Sequence, residues 1–255
     1  MKEPVQYKNY KAVKTLSPIS WMAFDDKEDG KIIKHLDIPH NASHMFDLLA
    51  QNLGLDEIEE FYKEKAHVLR DQLERLSYLE EDANINKPVE FILQKHPSKT
   101  GWQIKILKEA YMPLSVYKKY HSFQKEEVID LSLQVLSALS SGLKAGMVHG
   151  HLVPENILLK EEQSFLVDDF VGSHALSSIN PVTASIYDAK EKSKDTRSDL
   201  YSLSKIVLEI IEKNDLASQF HQPLLDIFYK GASEDISLRY EEPWLMKEAI
   251  EKEIH

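Results

Sequence analysis

Apolar positions alternate with polar ones in three short runs near the start of the chain, which predicts strands over residues 10–16, 19–24 and 31–36. Between the second and third lies Asp25-Asp-Lys-Glu-Asp-Gly30, a hairpin-turn composition. The period then changes to helical. Met45, Leu48 and Leu49 share one face of a helix from Asn41 to about Asn52, stopped by Gly54. A longer helix follows to about Leu79, capped by Asp56 with Glu59 three residues on. Ile58, Phe61, Tyr62, Val68, Leu69, Leu73 and Leu76 form its apolar side. A second strand pair, 89–95 and 102–107, brackets a turn from Pro97 to Gly101. Beyond Met112-Pro113 the pattern is helical. Val128, Leu131, Val135, Leu136, Leu139 and Leu143 line a helix over 125–145 that ends at Gly146, and another helix spans about 198–212. Strands first and helices later predict an α+β fold with two lobes, 1–112 and 113–255.

Composition narrows the function classes. The 255 residues include 31 basic and 42 acidic side chains, a formal net charge of −11, with a sequence pI near 5.5 and no basic tract. Nucleic acid and anionic membrane are thereby poor partners. No run approaches the roughly 18 apolar residues that a membrane-spanning helix needs, and the first residues lack an apolar leader core. Zero cysteines exclude thiol catalysis, disulfides and Cys-ligated metals. A cytoplasmic protein is the expectation. Eight glycines leave little material for a phosphate-cradling loop.

The sharpest signal runs from Met147 to Asp169: Met-Val-His-Gly-His-Leu-Val-Pro-Glu-Asn-Ile-Leu-Leu, then Phe-Leu-Val-Asp-Asp-Phe-Val-Gly. It resembles the catalytic loop (H-R-D-L-K-P-E-N) and the D-F-G segment of eukaryotic-type protein kinases. Further marks follow in the family's order. Ala189-Lys190-Glu191 is similar to A-P-E. Ser198-Asp199-Leu200-Tyr201 resembles the start of the central helix of the lower lobe, and Arg239 resembles the late arginine that pairs with the A-P-E glutamate. Upstream, Lys31-Ile-Ile-Lys34 resembles V-A-I-K. The resemblance implies a bilobal kinase-like fold: a small antiparallel-sheet N-lobe with helices and a mainly helical C-lobe. Only some 42 residues follow Lys213, so that C-lobe is shortened.

It also implies roles. Lys34 with Glu64 (or Glu60, one turn away) would hold the nucleotide phosphates, and Asn156 and Asp169 would ligate Mg2+. ATP and Mg2+ are the implied cofactors. Asp169 is preferred over Asp168 because it lies 13 residues after Asn156, a separation like the family's. His149, Phe170, Glu191, Asp199 and Arg239 are the implied structural residues. Several positions depart from the pattern. His151 stands where the family has its catalytic aspartate, Val153 where it has a lysine, and Gly150 where it has the arginine that grips a phosphorylated activation loop. Val171 replaces the D-F-G glycine, with Gly172 one position later. The first hairpin, Thr15-Leu-Ser-Pro-Ile-Ser20, has no glycine, which makes poor nest-like contacts to phosphate.

The residues therefore read as a pseudokinase: an interaction or regulatory module that binds another protein, with ATP and Mg2+ held but phosphate not transferred efficiently. The alternative is an active ATP-dependent Ser/Thr kinase that uses His151 as its base. His40 and His44 lack a third metal ligand and read as a surface pair. The charged side of the 56–80 helix (Glu57, Glu60, Lys63, Arg70, Glu74) is a solvated face, or else a partner-docking one.

Overall fold

A computed structural model describes residues 6–17, 19–39, 43–97, 100–171, 185–190 and 195–254. The chain divides into two compact units of mixed α+β structure. The described parts of Met1–Tyr78 and Lys87–Ala110, with Val171, form the first; Leu79–Asn86, Tyr111–Phe170 and the described residues beyond 183 form the second. Among the described residues no helix is long and apolar enough to cross a membrane.

The first unit is built on a six-stranded antiparallel sheet. Its strands are β1 (Gln6–Tyr7), β2 (Tyr10–Ser17), β3 (Ser20–Phe24), β4 (Gly30–Ile38), β5 (Pro88–Lys95) and β6 (Trp102–Glu109), in the order β1-β2-β3-β4-β6-β5. The turn between β3 and β4 is fixed by one carboxylate. Asp25 Oδ1 accepts the backbone N–H groups of Lys27 and Asp29, both at 2.9 Å. Alternation along β4 puts Ile33 on one face, where it packs with Tyr7, Ala23 and Leu107. Lys34, Leu36 and Ile38 lie on the other face, opposite Ile106, Ile104 and Trp102 of β6.

Two helices complete this unit. α1 (Ser43–Ala50) buries none of its residues and is stopped by Asn52 in the left-handed conformation, φ 63°, rather than by Gly54. α2 (Leu55–Ser77) starts two residues earlier than its composition suggests. Gly54 is the cap residue, and Glu57 Oε2 accepts the Gly54 N–H at 2.7 Å, leaving Asp56 inside the first turn. Ile58, Tyr62, Ala66, Leu69, Leu73 and Leu76 form the buried stripe of α2. That stripe faces β4, β5 and β6, with His67 edge-on to Trp102 at 5.8 Å. Since Trp102 pairs with Ile38, α2 covers the Lys34 face of the sheet.

The second unit has a small sheet, β7 (Met112–Pro113), β8 (Ile157–Glu161) and β9 (Ser164–Val167), and the helices α3 (Leu114–Tyr117), α4 (Lys125–Lys144), α5 (Thr196–Lys213), α6 (Gln222–Gly231) and α7 (Pro243–Ile254). α4 is its core: Val128, Leu131, Val135, Leu136 and Leu139 are buried, and α5, α7 and β9 pack around it. The linker at 79–86 belongs here as well. Asn86 N–H donates to Val167 O at 2.9 Å and Val167 N–H to Asn84 O at 2.8 Å, tying it to β9. Gln134 of α4 secures both segments, its Oε1 accepting from Phe165 N at 2.7 Å and Asn84 Nδ2 at 3.2 Å.

Candidate functional site

The loop between α4 and β8 carries most of the kinase-like residues, and its backbone is pinned by buried polar groups. Asp199, in the first turn of α5, accepts the N–H of His149 at 3.0 Å and that of Gly150 at 2.8 Å through its two carboxylate oxygens. Gly150 has φ 70°, a conformation that side-chain-bearing residues rarely adopt, so glycine relieves strain there. His149 is fully buried. Its Nδ1 accepts from His151 N–H at 3.2 Å, so the ring proton sits on Nε2, which donates to Asp168 O at 2.8 Å. Burial pushes this imidazole down to about 4, against the opposing pull of the Asp168 carbonyl and the Asp169 charge. His149 is thus neutral and structural. Phe170 stands edge-on to it, 5.1 Å between ring centroids, and fills the space beside Gly142 of α4.

Asn156 closes the loop. Its Nδ2 donates to His151 O at 3.0 Å, and its backbone carbonyl accepts from Asp168 N–H at 2.8 Å. Asp169 is buried with φ 66°, an uncommon backbone state that Asp tolerates better than most residues. A strained, buried carboxylate next to β9 marks a position where placement of the side chain is maintained at some cost. The amide donor of Asn156 is used by His151 O, and its Oδ1 is an acceptor. An amide oxygen and a carboxylate are the hard donors that suit Mg2+, which ordinarily takes one or two protein oxygens plus substrate phosphates and water. Among the described residues no cluster of three or more His, Asp or Glu side chains forms a metal site by itself.

His151, which the resemblance sets against the kinase family's catalytic aspartate, has its imidazole engaged. Nδ1 lies 3.2 Å from Asp188 Oδ1, and the other Asp188 oxygen accepts Ser185 N–H at 2.7 Å. Val153, which the resemblance sets against the family's lysine, is buried, as is Leu152. Next to Asp188, Tyr187 is anchored by its hydroxyl to Glu209 of α5. Lys118 reaches that hydroxyl at 3.0 Å and Glu209 Oε2 at 2.9 Å. Burial would raise the Glu209 carboxyl, but hydrogen bonds from Lys213, Tyr187 and Lys118 outweigh it and bring it down to about 2. Arg239 is buried over the Tyr201 ring, 4.5 Å to its centroid, and donates to the carbonyls of Ser233 (2.7 Å), Arg197 (3.3 Å) and Glu234 (3.4 Å). Its expected partner Glu191 lies outside the described residues, as do Pro18, His40, Gly172 and most of the segment from Ser173 to Tyr187. His44 is described: its Nδ1 lies 3.1 Å from Tyr62 Oη and its ring stacks on Phe61.

In the first unit, Lys34 is buried on the α2 face of β4. Glu64 is exposed and makes no hydrogen bond or ion pair among the described residues, so the Lys34–Glu64 pair does not form. Glu60 is no substitute, being paired to Lys63 at 2.9 Å on the outer surface. At the first hairpin Ser17 of β2 pairs with Ser20 of β3. Asp188, Tyr187, Lys118 and Glu209 were not legible as site residues. Their partners lie 22 to 91 positions away along the chain, and no spacing rule links them.

No protein-family model matches the chain. A probable serine/threonine-protein kinase of Clostridium perfringens is 31% identical over 106 residues, which is 38% of this chain and 16% of that protein. The likeness is to a kinase and covers a minor part of both chains, so it supports a kinase-like relationship.

Proposed function

We propose that the chain is a pseudokinase: a cytoplasmic kinase-like module that binds ATP with Mg2+, the metal held by Asn156 and Asp169, and acts by docking another protein, without efficient phosphate transfer. One observation carries this reading. The scaffold of the catalytic loop is intact, with His149, Asn156 and Asp199 all hydrogen-bonded in place, while the residues that would act on a substrate are exchanged. An imidazole tied to Asp188 stands for the aspartate, a buried valine for the lysine. Kinase catalysis is mainly positioning and electrostatic stabilisation, so losing these groups lowers turnover far more than it lowers nucleotide affinity. When bound, Mg2+ would neutralise phosphate charge beside Asn156 and Asp169.

The test is thermal unfolding with ATP, with and without Mg2+, on wild type and Asp169→Asn. Ligand at 100 times its Kd stabilises by about 2.7 kcal/mol, a shift of several degrees for a chain of this size. The reading expects a Mg2+-dependent shift that Asp169→Asn abolishes, with transfer to Ser/Thr peptides at background level. No shift at millimolar ATP removes the nucleotide from the proposal; rapid peptide phosphorylation removes the pseudokinase.

A further inference from the structure

We infer that the outward face of α1 docks a basic amphipathic helix of a partner protein, with Phe46, Leu49 and Leu55 as its apolar contacts and the surrounding carboxylates as its charge contacts. This gives a place and a chemistry to the docking part of the reading above, and rests on it. α1 is joined to its unit along one side only. His44 Nδ1 lies 3.1 Å from Tyr62 Oη, its ring stacks on Phe61, and Met45 and Leu48 are half-buried. At about 100° per residue, Phe46 and Ala50 fall opposite that side and Leu49 on its margin. Phe46 is 62% exposed, Leu49 37%, and Leu55, which opens α2, 61%. No residue of α1 is buried. So short a helix gains little from its own hydrogen bonds, and apolar side chains crowded in water along one stretch are a cost that a partner's apolar surface removes.

Charge selects the partner. From Ser43 to Tyr62 the chain carries five carboxylates, Asp47, Asp56, Glu57, Glu59 and Glu60, and no lysine or arginine. Glu59 and Glu60 are met by Lys95 and Lys63. Asp47, Asp56 and Glu57 form no ion pair among the described residues, Glu57 accepting the Gly54 N–H instead. Lys65, the next cation along α2, is turned onto the Phe61 ring, 5.4 Å from its centroid. Such a rim repels nucleic acid and anionic membrane. It repels a second copy as well, since an isologous contact would set the same carboxylates against one another. A helix with apolar residues at i, i+3 or i+4 and i+7, flanked by Lys or Arg, complements both the apolar face and its rim.

The probe is an amidated peptide of about 18 residues with Leu at those spacings and Lys beside them. Two controls accompany it: the same composition in scrambled order, and a version with Glu for every Lys. The full chain, 15N-labelled, is titrated with each, and affinities are measured by calorimetry at low and high NaCl. The expected result is a set of shift changes centred on residues 43–57, with affinity falling as salt rises and no binding of the Glu peptide. The double variant Phe46→Ser with Leu49→Ser, which leaves the charge unchanged, should bind about tenfold more weakly or worse, as should wild type with the scrambled peptide. Both side chains are exposed, so the unfolding temperature of the variant should match wild type and separate lost binding from lost fold. Equal binding by the variant, or of the scrambled peptide, assigns the attraction to bulk charge and overturns the inference. Self-association in the ultracentrifuge, or adhesion to phosphatidylserine vesicles, that the double variant abolishes gives the face to another occupant and overturns it too. No binding by a chain that shows the Mg2+-dependent ATP shift removes the α1 surface and leaves the nucleotide reading standing; binding at α1 without that shift does the reverse.

Discussion

At the scale of single residues, His149 shows how burial sets chemistry. Two imidazoles lie in one loop, and the fully buried one is held neutral by desolvation. Its folded-state value of about 4 lies below the ordinary 6.5, so the unfolded chain binds the extra proton first as the medium is acidified. The contribution is complete above pH 6.5, shrinks as pH falls towards 4, and amounts to about 3 kcal/mol over that window. Urea unfolding of wild type and His149→Gln at intervals from pH 7.5 to 4.5 tests this. The variant is expected to be less stable at pH 7.5, because two backbone groups lose their partner, yet to have a flatter profile by close to one proton. Parallel profiles would assign the acid sensitivity to other groups.

At the scale of elements, α2 shows what periodicity can and cannot settle. Hydrophobic spacing locates the helix to within two residues at either end, and five of its seven apolar positions are indeed buried. The misplacement is rotational. Val68 reads as inward by its spacing but is 51% exposed, and Glu64, one turn before it, shares its outward face. The true stripe runs through Ala66, a residue too small to stand out in the pattern. The strands of the first sheet were legible because alternation and a turn composition agree; β1, α6 and α7 were not, being short or weakly patterned. The loop around His149 was legible from residue identity alone, and the anchoring of its partners to α5 and to the segment at 185–188 was not, since it depends on long-range placement. It follows that Glu64→Gln should change unfolding free energy by no more than about 0.5 kcal/mol and leave ATP-induced stabilisation intact. Leu69→Ala, which empties a site in the stripe, should cost about 2–5 kcal/mol. Denaturant unfolding of both variants decides it, and a large loss in Glu64→Gln would restore that residue to a functional role.

Over the whole molecule, charge is the property that no single site contains. A net −11 opposes compaction, and its effect is concentrated where acids crowd. On α4 the Asp130 carboxyl is pushed up by partial burial and by the nearby charges of Glu126 and Glu127. A carboxyl raised in the folded state contributes stability as pH falls through its folded value, and opposes folding above it. Several ion pairs pull the other way, among them Lys8–Glu90, Lys95–Glu59 and Lys63–Glu60, but all are on the surface, where each is worth little. Salt weakens both effects, the repulsion over the whole surface and the attraction pair by pair. With 42 acids against 31 bases the repulsion outweighs the attraction, so raising NaCl from 20 to about 300 mM should increase the unfolding temperature by a few degrees. Asp130→Asn removes one like-charge neighbour one turn from Glu126, worth about 0.2–0.5 kcal/mol. That variant should be more stable than wild type at low salt, with the difference shrinking as salt is added. A melting temperature that falls with salt would mean the surface pairs carry more of the stability than their exposure suggests.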